Sequence, residues 1–522
     1  MKATVHLDTQ HHVGPIDRRV FSGFLEHLGR AVYEGVYDPG NPRSDEQGFR
    51  QDVLEALRPL GMATVRYPGG NFVSCYDWKD GIGPLESSPP SAHSASSSSN
   101  YDWKDGIGPL ESRAARPDYA WRTIESNQFG TDQFMAWSRQ LDTEPMIAVN
   151  LGTGNTADAA ALLEYCNLPG GTYWADQRTR HGNAEPYGAK LWCLGNEMDG
   201  PWQAGHVPAA VYAQRAWQAG QMMKGLDPTI ETVACGSSHR NMRTYLEWDR
   251  EVLEYCWDHV DYISAHRYSE NRRDDSAWYL AEGLEIDRTL EDYAGLLNYV
   301  RGVKKSGKRV YLSFDEWNVW YRARDGDGHW QTAPHLLEEV YNLEDALVCA
   351  QYLTSFLRRA DVLKIACMAQ IVNVIAPILT RPEGLLRQSI YYPFALLSRY
   401  AHGRSLTPVI HGPTYQAGDR GEAPVLDAAA SYDEETGQTA IFLINRSQGE
   451  ELTVEIDLAD RRFAGAGTVD LLGGGDVKAA NSWEDPHRVV PVQGSAALTE
   501  ENRLRVRVPA PGLAVVRATV AG

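Results

Sequence analysis

The chain has 522 residues, 43% of them hydrophobic and 23% charged, a globular composition that at this length calls for two domains rather than one. Lys and Arg number 50 against 69 Asp and Glu, and the resulting charge of −19 disfavours nucleic acid or an anionic membrane as the main partner and fits a neutral substrate. No apolar run approaches the length of about eighteen residues that spans a membrane, and no signal-peptide core follows Lys2. The seven cysteines are odd in number and unlike any metal-ligand spacing, so a cytoplasmic protein without a metal is expected.

The opening ATVHLD alternates like a half-buried strand. Eight short β-rich runs follow, at 21–27, 63–69, 145–150, 190–197, 230–237, 260–266, 309–316 and 362–370. Stretches of helical period lie between them, including 157–166, 209–225, 289–305 and 343–359. Eight strands alternating with helices predict an α/β protein, a (β/α)₈ TIM barrel. After about residue 385 the texture changes to short alternating strands (VLDAAASYDEETGQTAIFLINRS, ELTVEIDL, LRVRV, LAVVRATV) separated by Gly, Asp and Glu turns. This predicts a C-terminal antiparallel β-sandwich, jelly-roll-like. The expected division is a barrel over 16–384 and a sandwich over 1–15 plus 385–522.

One segment is anomalous. YDWKDGIGPLES occurs at 76–87 and again, without mismatch, at 101–112, with the low-complexity SPPSAHSASSSSN between. Identity over twelve residues points to a recent or artificial duplication. It falls in the loop after the second strand, and the extra unit is expected as a flap beside the mouth that alters access rather than chemistry.

The strand ends carry the chemistry. Glu26, Arg66, Asn150, Glu197, His266, Glu316 and Gln370 each close an apolar run, and in a parallel barrel these ends meet on one face. A polar residue at one strand end is ordinary; so many bearing Glu, His, Gln and Asn predict a site. Glu197 and Glu316, on the fourth and seventh strands, form a carboxyl pair suited to glycoside cleavage with retention, in which the groups stand about 5–5.5 Å apart and mutual repulsion raises the pKa of one. Asn196 offers an amide for the sugar hydroxyl next to the reacting carbon, and aromatic residues around Glu316 offer an apolar wall.

These residues also carry a resemblance. FSGFLEHLGRAVYEGVY, VRYPGGNFVS, WCLGNEMDGPWQ, ISAHRYSEN, YLSFDEWNVWY and IACMAQIVNVIAPI, in that order over nearly the whole chain, resemble glycoside hydrolase family 51, whose characteristic members are α-L-arabinofuranosidases. The resemblance implies Glu197 as acid/base and Glu316 as nucleophile. It also implies sugar contacts from Glu26, Asn71, Asn196, Tyr268 and Gln370, carboxylate support from Arg66 and His266, and pocket walls from Trp121 and Trp320. Terminal α-L-arabinofuranosyl groups of arabinan or arabinoxylan oligosaccharides are the implied substrate, with no metal or organic cofactor and a hexameric assembly. Asp199 and Asp315 are taken as structural. A β-xylosidase or endo-β-glucanase would use the same two carboxylates with a different sugar subsite, and an inactive carbohydrate-binding protein would be expected to lack one of them. Linkage preference among α-1,2, α-1,3 and α-1,5 stays open.

Overall fold

Eight parallel strands close into a barrel in the computed structural model, which describes residues 1–75, 106–109, 113–323 and 327–521. They are β1 (Ser22–Phe24), β2 (Thr64–Tyr67), β3 (Glu144–Val149), β4 (Leu191–Leu194), β5 (Glu231–Ala234), β6 (Tyr262–Ser269), β7 (Tyr311–Val319) and β8 (Leu363–Ala369). Each pairs with its successor, and β8 closes on β1 through Met368 and Gly23. All eight fall within the runs expected from sequence or run a few residues past them. They are apolar on both faces because the barrel interior takes one side chain and the surrounding helices the next.

One irregularity matters for the site. Between β6 and β7 the register moves from Ser264↔Ser313 to His266↔Glu316, so β7 carries one residue more than its neighbour. The same extra residue appears against β8, between Phe314 and Trp317. Such a bulge re-aims side chains that strict alternation would send to opposite faces.

The helix Leu343–Arg358 begins at Asn342, whose side chain accepts from the Asp345 amide at 3.1 Å, and it is buried along nearly its whole length. A helix apolar on every side belongs between layers, and this one lies between barrel and sandwich. Its Thr354 and Arg358 both reach Asp427, on the sandwich strand Leu426–Asp433, at 2.9 Å. The strand Gln438–Asn445 shows the same layering. Its Phe442 and Ile444 join the barrel-side core, while Ile441 and Leu443 join the core of the sandwich.

The N-terminal strand Lys2–Leu7 lies parallel to Leu452–Leu458 and antiparallel to Val409–His411, in a twelve-stranded sheet built mainly from the C-terminal part of the chain. Past residue 385 the chain first makes the helix Tyr391–Tyr400, whose Phe394 packs on Phe21 and Trp317 of the barrel, with ring centroids 6.2 and 6.4 Å away. The barrel layer therefore continues beyond the point where the sequence texture changes.

Of the duplicated segment, only Gly106–Pro109 of the second copy is among the described residues; the expected flap lies outside them. Ile107 is buried in the barrel core, and Arg113 donates to the Gly108 carbonyl at 2.9 Å. Gly130 approaches so closely that a Cβ there would stand 1.9 Å from the Gly106 oxygen. The second copy thus supplies a packed Gly-Ile-Gly-Pro.

Candidate active site

The C-terminal ends of the strands surround a cavity of about 680 Å³. Glu26, Asn71, Trp121, Glu197, Tyr268, Glu316, Trp320 and Gln370 line it. Asn196, Arg66 and His266 sit beneath this lining and hold its members in place.

Glu316 projects from the bulged part of β7. Its Oε1 accepts from Arg66 Nη1 at 2.7 Å and its Oε2 from the Tyr268 hydroxyl at 2.9 Å. Glu197 follows β4 in the left-handed region, at φ 44°, a backbone conformation a glutamate keeps only where the surroundings impose it. Its Oε1 accepts from His266 Nδ1 at 2.9 Å and its Oε2 from the Trp202 indole at 2.7 Å. One carboxylate oxygen of Glu197, one of Glu316 and a ring nitrogen of His266 all lie within 4.8 Å of one another.

His266 bridges the charges. Nδ1 meets Glu197 and stands 3.5 Å from Glu316 Oε2, while Nε2 meets Asp315 Oδ1 at 3.0 Å. Burial opposes its protonation, but Glu316, Asp315 and Glu197 outweigh burial and raise its pKa to about 10. That direction favours an imidazolium donating from both nitrogens. Burial also opposes ionisation of Asp315, yet Arg66 and His266 hold its carboxyl below the usual range. Burial lifts Glu316 above its ordinary range, with His266 and Arg66 opposing and Glu197 adding to the rise. Its two oxygens nevertheless face donors from Arg66 and Tyr268, and a proton on either would displace one of those bonds.

The inner end of the cavity is a second buried carboxyl site. Glu26 Oε1 accepts from the Phe72 amide at 2.9 Å and the Trp121 indole at 3.0 Å. Gln370 Nε2 donates to Glu26 Oε2 at 3.2 Å, and the Glu26 amide returns a bond to Gln370 Oε1 at 2.9 Å. Burial pushes Glu26 up to about 8, with Glu316 adding to the effect and the bonds from Phe72 and Trp121 opposing it. Gly70 makes room for it, since a Cβ there would lie 2.6 Å from Glu26 Oε2. Asn196 is 1% exposed and spends its carbonyl on Arg66 Nη2 at 2.7 Å, which places it behind the lining rather than in it. Trp320 meets Tyr268 edge to face, with centroids 5.5 Å apart.

Three participants escaped the sequence reading. Trp202 and Gln203 line the cavity, and Gln203 donates to Asn71 Oδ1. Both lie in the GPWQ that follows Glu197, so their nearness to the strand end was the available signal. Asp315, taken as structural, is part of the charge network; Asp199 does conform to that role, accepting from the Ser238 amide and hydroxyl at 3.0 and 3.1 Å.

Known proteins resemble the chain over nearly its whole length. The model of the α-L-arabinofuranosidase C-terminal domain matches residues 315–511, and that of the α-L-arabinofuranosidase 1 domain matches 92–282. The chain is 42% identical over 523 residues to the intracellular exo-α-(1→5)-L-arabinofuranosidase of Halalkalibacterium halodurans, covering 99% of both chains. It is also 42% identical to intracellular exo-α-(1→5)-L-arabinofuranosidase 1 of Bacillus subtilis over 503 residues, covering 96% of this chain and 95% of that one. The solved structure of a family 51 α-L-arabinofuranosidase from Bifidobacterium longum superimposes with a TM-score of 0.90 at 36% identity, covering 99% of each chain. With full-length relatives at this identity and a carboxyl pair at the mouth of its barrel, the chain belongs to the α-L-arabinofuranosidases of glycoside hydrolase family 51.

Proposed function

We propose that the protein is a retaining, exo-acting α-L-arabinofuranosidase, with Glu316 as nucleophile and Glu197 as acid/base. The observation that carries this is the approach of the two carboxylates to within 4.8 Å at the cavity wall. That spacing suits direct attack by one of them and leaves no room for an intervening water. Glu316 is assigned the attack on the family resemblance, with Arg66 and Tyr268 fixing the orientation of its two oxygens. Glu197, whose Oε2 faces the exposed Trp202, is assigned the side from which the leaving group departs.

In the first step Glu316 bonds to the anomeric carbon while Glu197 passes its proton to the departing glycosidic oxygen. In the second, the Glu197 carboxylate takes a proton from water as that water attacks the same carbon and releases Glu316. In the free enzyme His266, placed between the two carboxylates, offsets their repulsion. Glu26, Asn71 and Gln370 are assigned to sugar hydroxyls and Trp121 and Trp320 to the walls, with Arg66, Asn196 and His266 positioning the lining.

The relatives' names favour α-1,5-linked arabino-oligosaccharides and an intracellular location. The charge of −19 supports a neutral glycan rather than nucleic acid or membrane as partner. A homohexamer is proposed on the family resemblance. The deciding experiment is hydrolysis of 4-nitrophenyl α-L-arabinofuranoside by the wild type, Glu197→Ala and Glu316→Ala, with azide. Azide should give an α-arabinosyl azide from the Glu197 variant, by attack on the β-linked glycosyl-enzyme, and a β-azide from the Glu316 variant, by direct displacement. Wild-type rates in both variants would refute the assignment, and cleavage of only a xyloside or glucoside would refute the substrate.

A further inference from the structure

The rim of the cavity carries aromatic surface that the two-step chemistry leaves unused. Tyr119 lines the cavity and is 46% exposed; Trp330, on the segment after β7, is 40% exposed and meets Tyr119 edge to face at 5.9 Å. Arg122 lies 5.9 Å from the centre of the Trp330 ring.

This pair is held by a strap. The Gly328 amide donates to the Trp121 carbonyl at 2.9 Å, the Trp330 amide to Arg122 at 2.7 Å and the Ile124 amide to Gln331 at 3.0 Å, while Arg122 pairs with Asp327 at 2.7 Å. Arg122, His329 and Trp330 all sit in the left-handed region, at φ 54°, 47° and 58°. Non-glycine residues keep that conformation where neighbouring contacts impose it, and such positions cluster at ligand clamps. Trp121, on the same strap, is bonded to Glu26, so the rim is tied rigidly to the inner end of the cavity.

We propose that Tyr119 and Trp330 form a distal leaving-group subsite, a platform for a sugar ring beyond the one joined at the scissile bond. An exposed aromatic body with a polarisable face suits the C–H face of a furanose or pyranose, and its continuity with the cavity places it on the path of an oligosaccharide. The proposal rests on the hydrolase reading above. The same ring chemistry arises in an α-1,5-arabinan leaving group and in a xylan backbone, so both need testing.

The test compares kcat/KM of the wild type, Trp330→Ala and Trp330→Phe on α-1,5-arabinotriose, an arabinosylated xylotriose and 4-nitrophenyl α-L-arabinofuranoside. The aryl glycoside, too short to reach the platform, is the internal reference. In the Ala variant the ratio of triose to aryl kcat/KM should fall about tenfold through KM, the size of one lost aromatic contact, and Phe should restore most of it. A fall with one triose alone identifies the backbone bound. An unchanged ratio for both trioses overturns the platform. Arabinotriose affinity of Glu316→Gln, with and without Trp330→Ala, reads the platform without turnover. If the wild type hydrolyses nothing, the activity reading fails, and that pair of affinities alone decides the subsite.

Discussion

Arg66 Nη1 stands 2.7 Å from Glu316 Oε1, and Nη2 of the same guanidinium stands 2.7 Å from Asn196 Oδ1, so one cation ties β2 to the ends of β4 and β7. Arg66 is 1% exposed and also covers the Phe24 ring at 4.7 Å. Lysine keeps the charge but cannot fork between two partners. Arg66→Lys is expected to lower kcat on the aryl glycoside about a hundredfold, equivalent to about 2.7 kcal/mol of barrier, and Arg66→Met to lower it further and reduce Tm. Turnover within threefold of wild type in the Lys variant would remove Arg66 from the nucleophile's support.

The pKa shifts predict stability that declines with rising pH in two windows. Glu26 is raised from its ordinary value to about 8, so the folded state holds a proton the unfolded state has lost, and stability falls between about pH 4.5 and 8. His266 is raised to about 10; its contribution is complete below about pH 6.5 and is lost as pH rises through 10. Glu26→Gln should flatten the Tm profile in the lower window and His266→Gln in the upper. Parallel profiles for wild type and both variants would contradict the shifts.

At the junction of the layers, Asp427 is buried against Thr354, Arg358 and, at 3.6 Å, Arg446. Asp427→Ala removes one partner from each of two guanidinium groups, Arg358 keeping Asp287 and Arg446 keeping Gln351, which costs about 1–3 kcal/mol. Denaturant unfolding should show that loss while turnover at 25 °C changes little. Burial opposes ionisation of Asp427, but Arg358 and Arg446 depress its pKa. The gap between wild type and variant should therefore hold above about pH 4 and close as pH falls through the native pKa. A gap independent of pH would assign the loss to packing alone.

Deleting Tyr76–Asn100 joins Cys75 to the intact second copy at Tyr101 and leaves Gly106–Pro109 in its packed position. Halving a loop changes its closure free energy by only about 0.6 kcal/mol. Tm of the shortened protein should match that of the full chain, with aryl-glycoside turnover retained. Failure to fold would show that the first copy is part of the packed structure.

The barrel was legible because its strands are short apolar runs, seven of the eight expected ones ending in a polar residue; Glu26, Glu197 and Gln370 follow their strands, while Glu316 lies within β7. Asp315 was not legible. In a regular strand, neighbours point to opposite faces, which would send Asp315 into the wall if Glu316 faces the mouth. The extra residue in β7 lets both serve the same interior, with Asp315 on Ser264 and His266 and Glu316 on Arg66 and Tyr268. No local pattern in YLSFDEWNV marks that bulge. Trp330 was missed for another reason: loops after strands have no period, and only the fold brings it to the rim.

The pairing of Lys2–Leu7 with Leu452–Leu458 has a consequence for how the protein is made. Next to that pair, Thr9 bonds Asp460 across 451 positions of chain. A ribosome therefore releases the first strand long before its parallel neighbour exists, and the entire barrel is synthesised in the interval. During that time Ala3, Val5 and Leu7, buried in the finished sandwich, have no sheet to enter. Burial of this segment must wait until Leu452–Leu458 has been made, a separation that makes late sheet completion slow relative to local contacts.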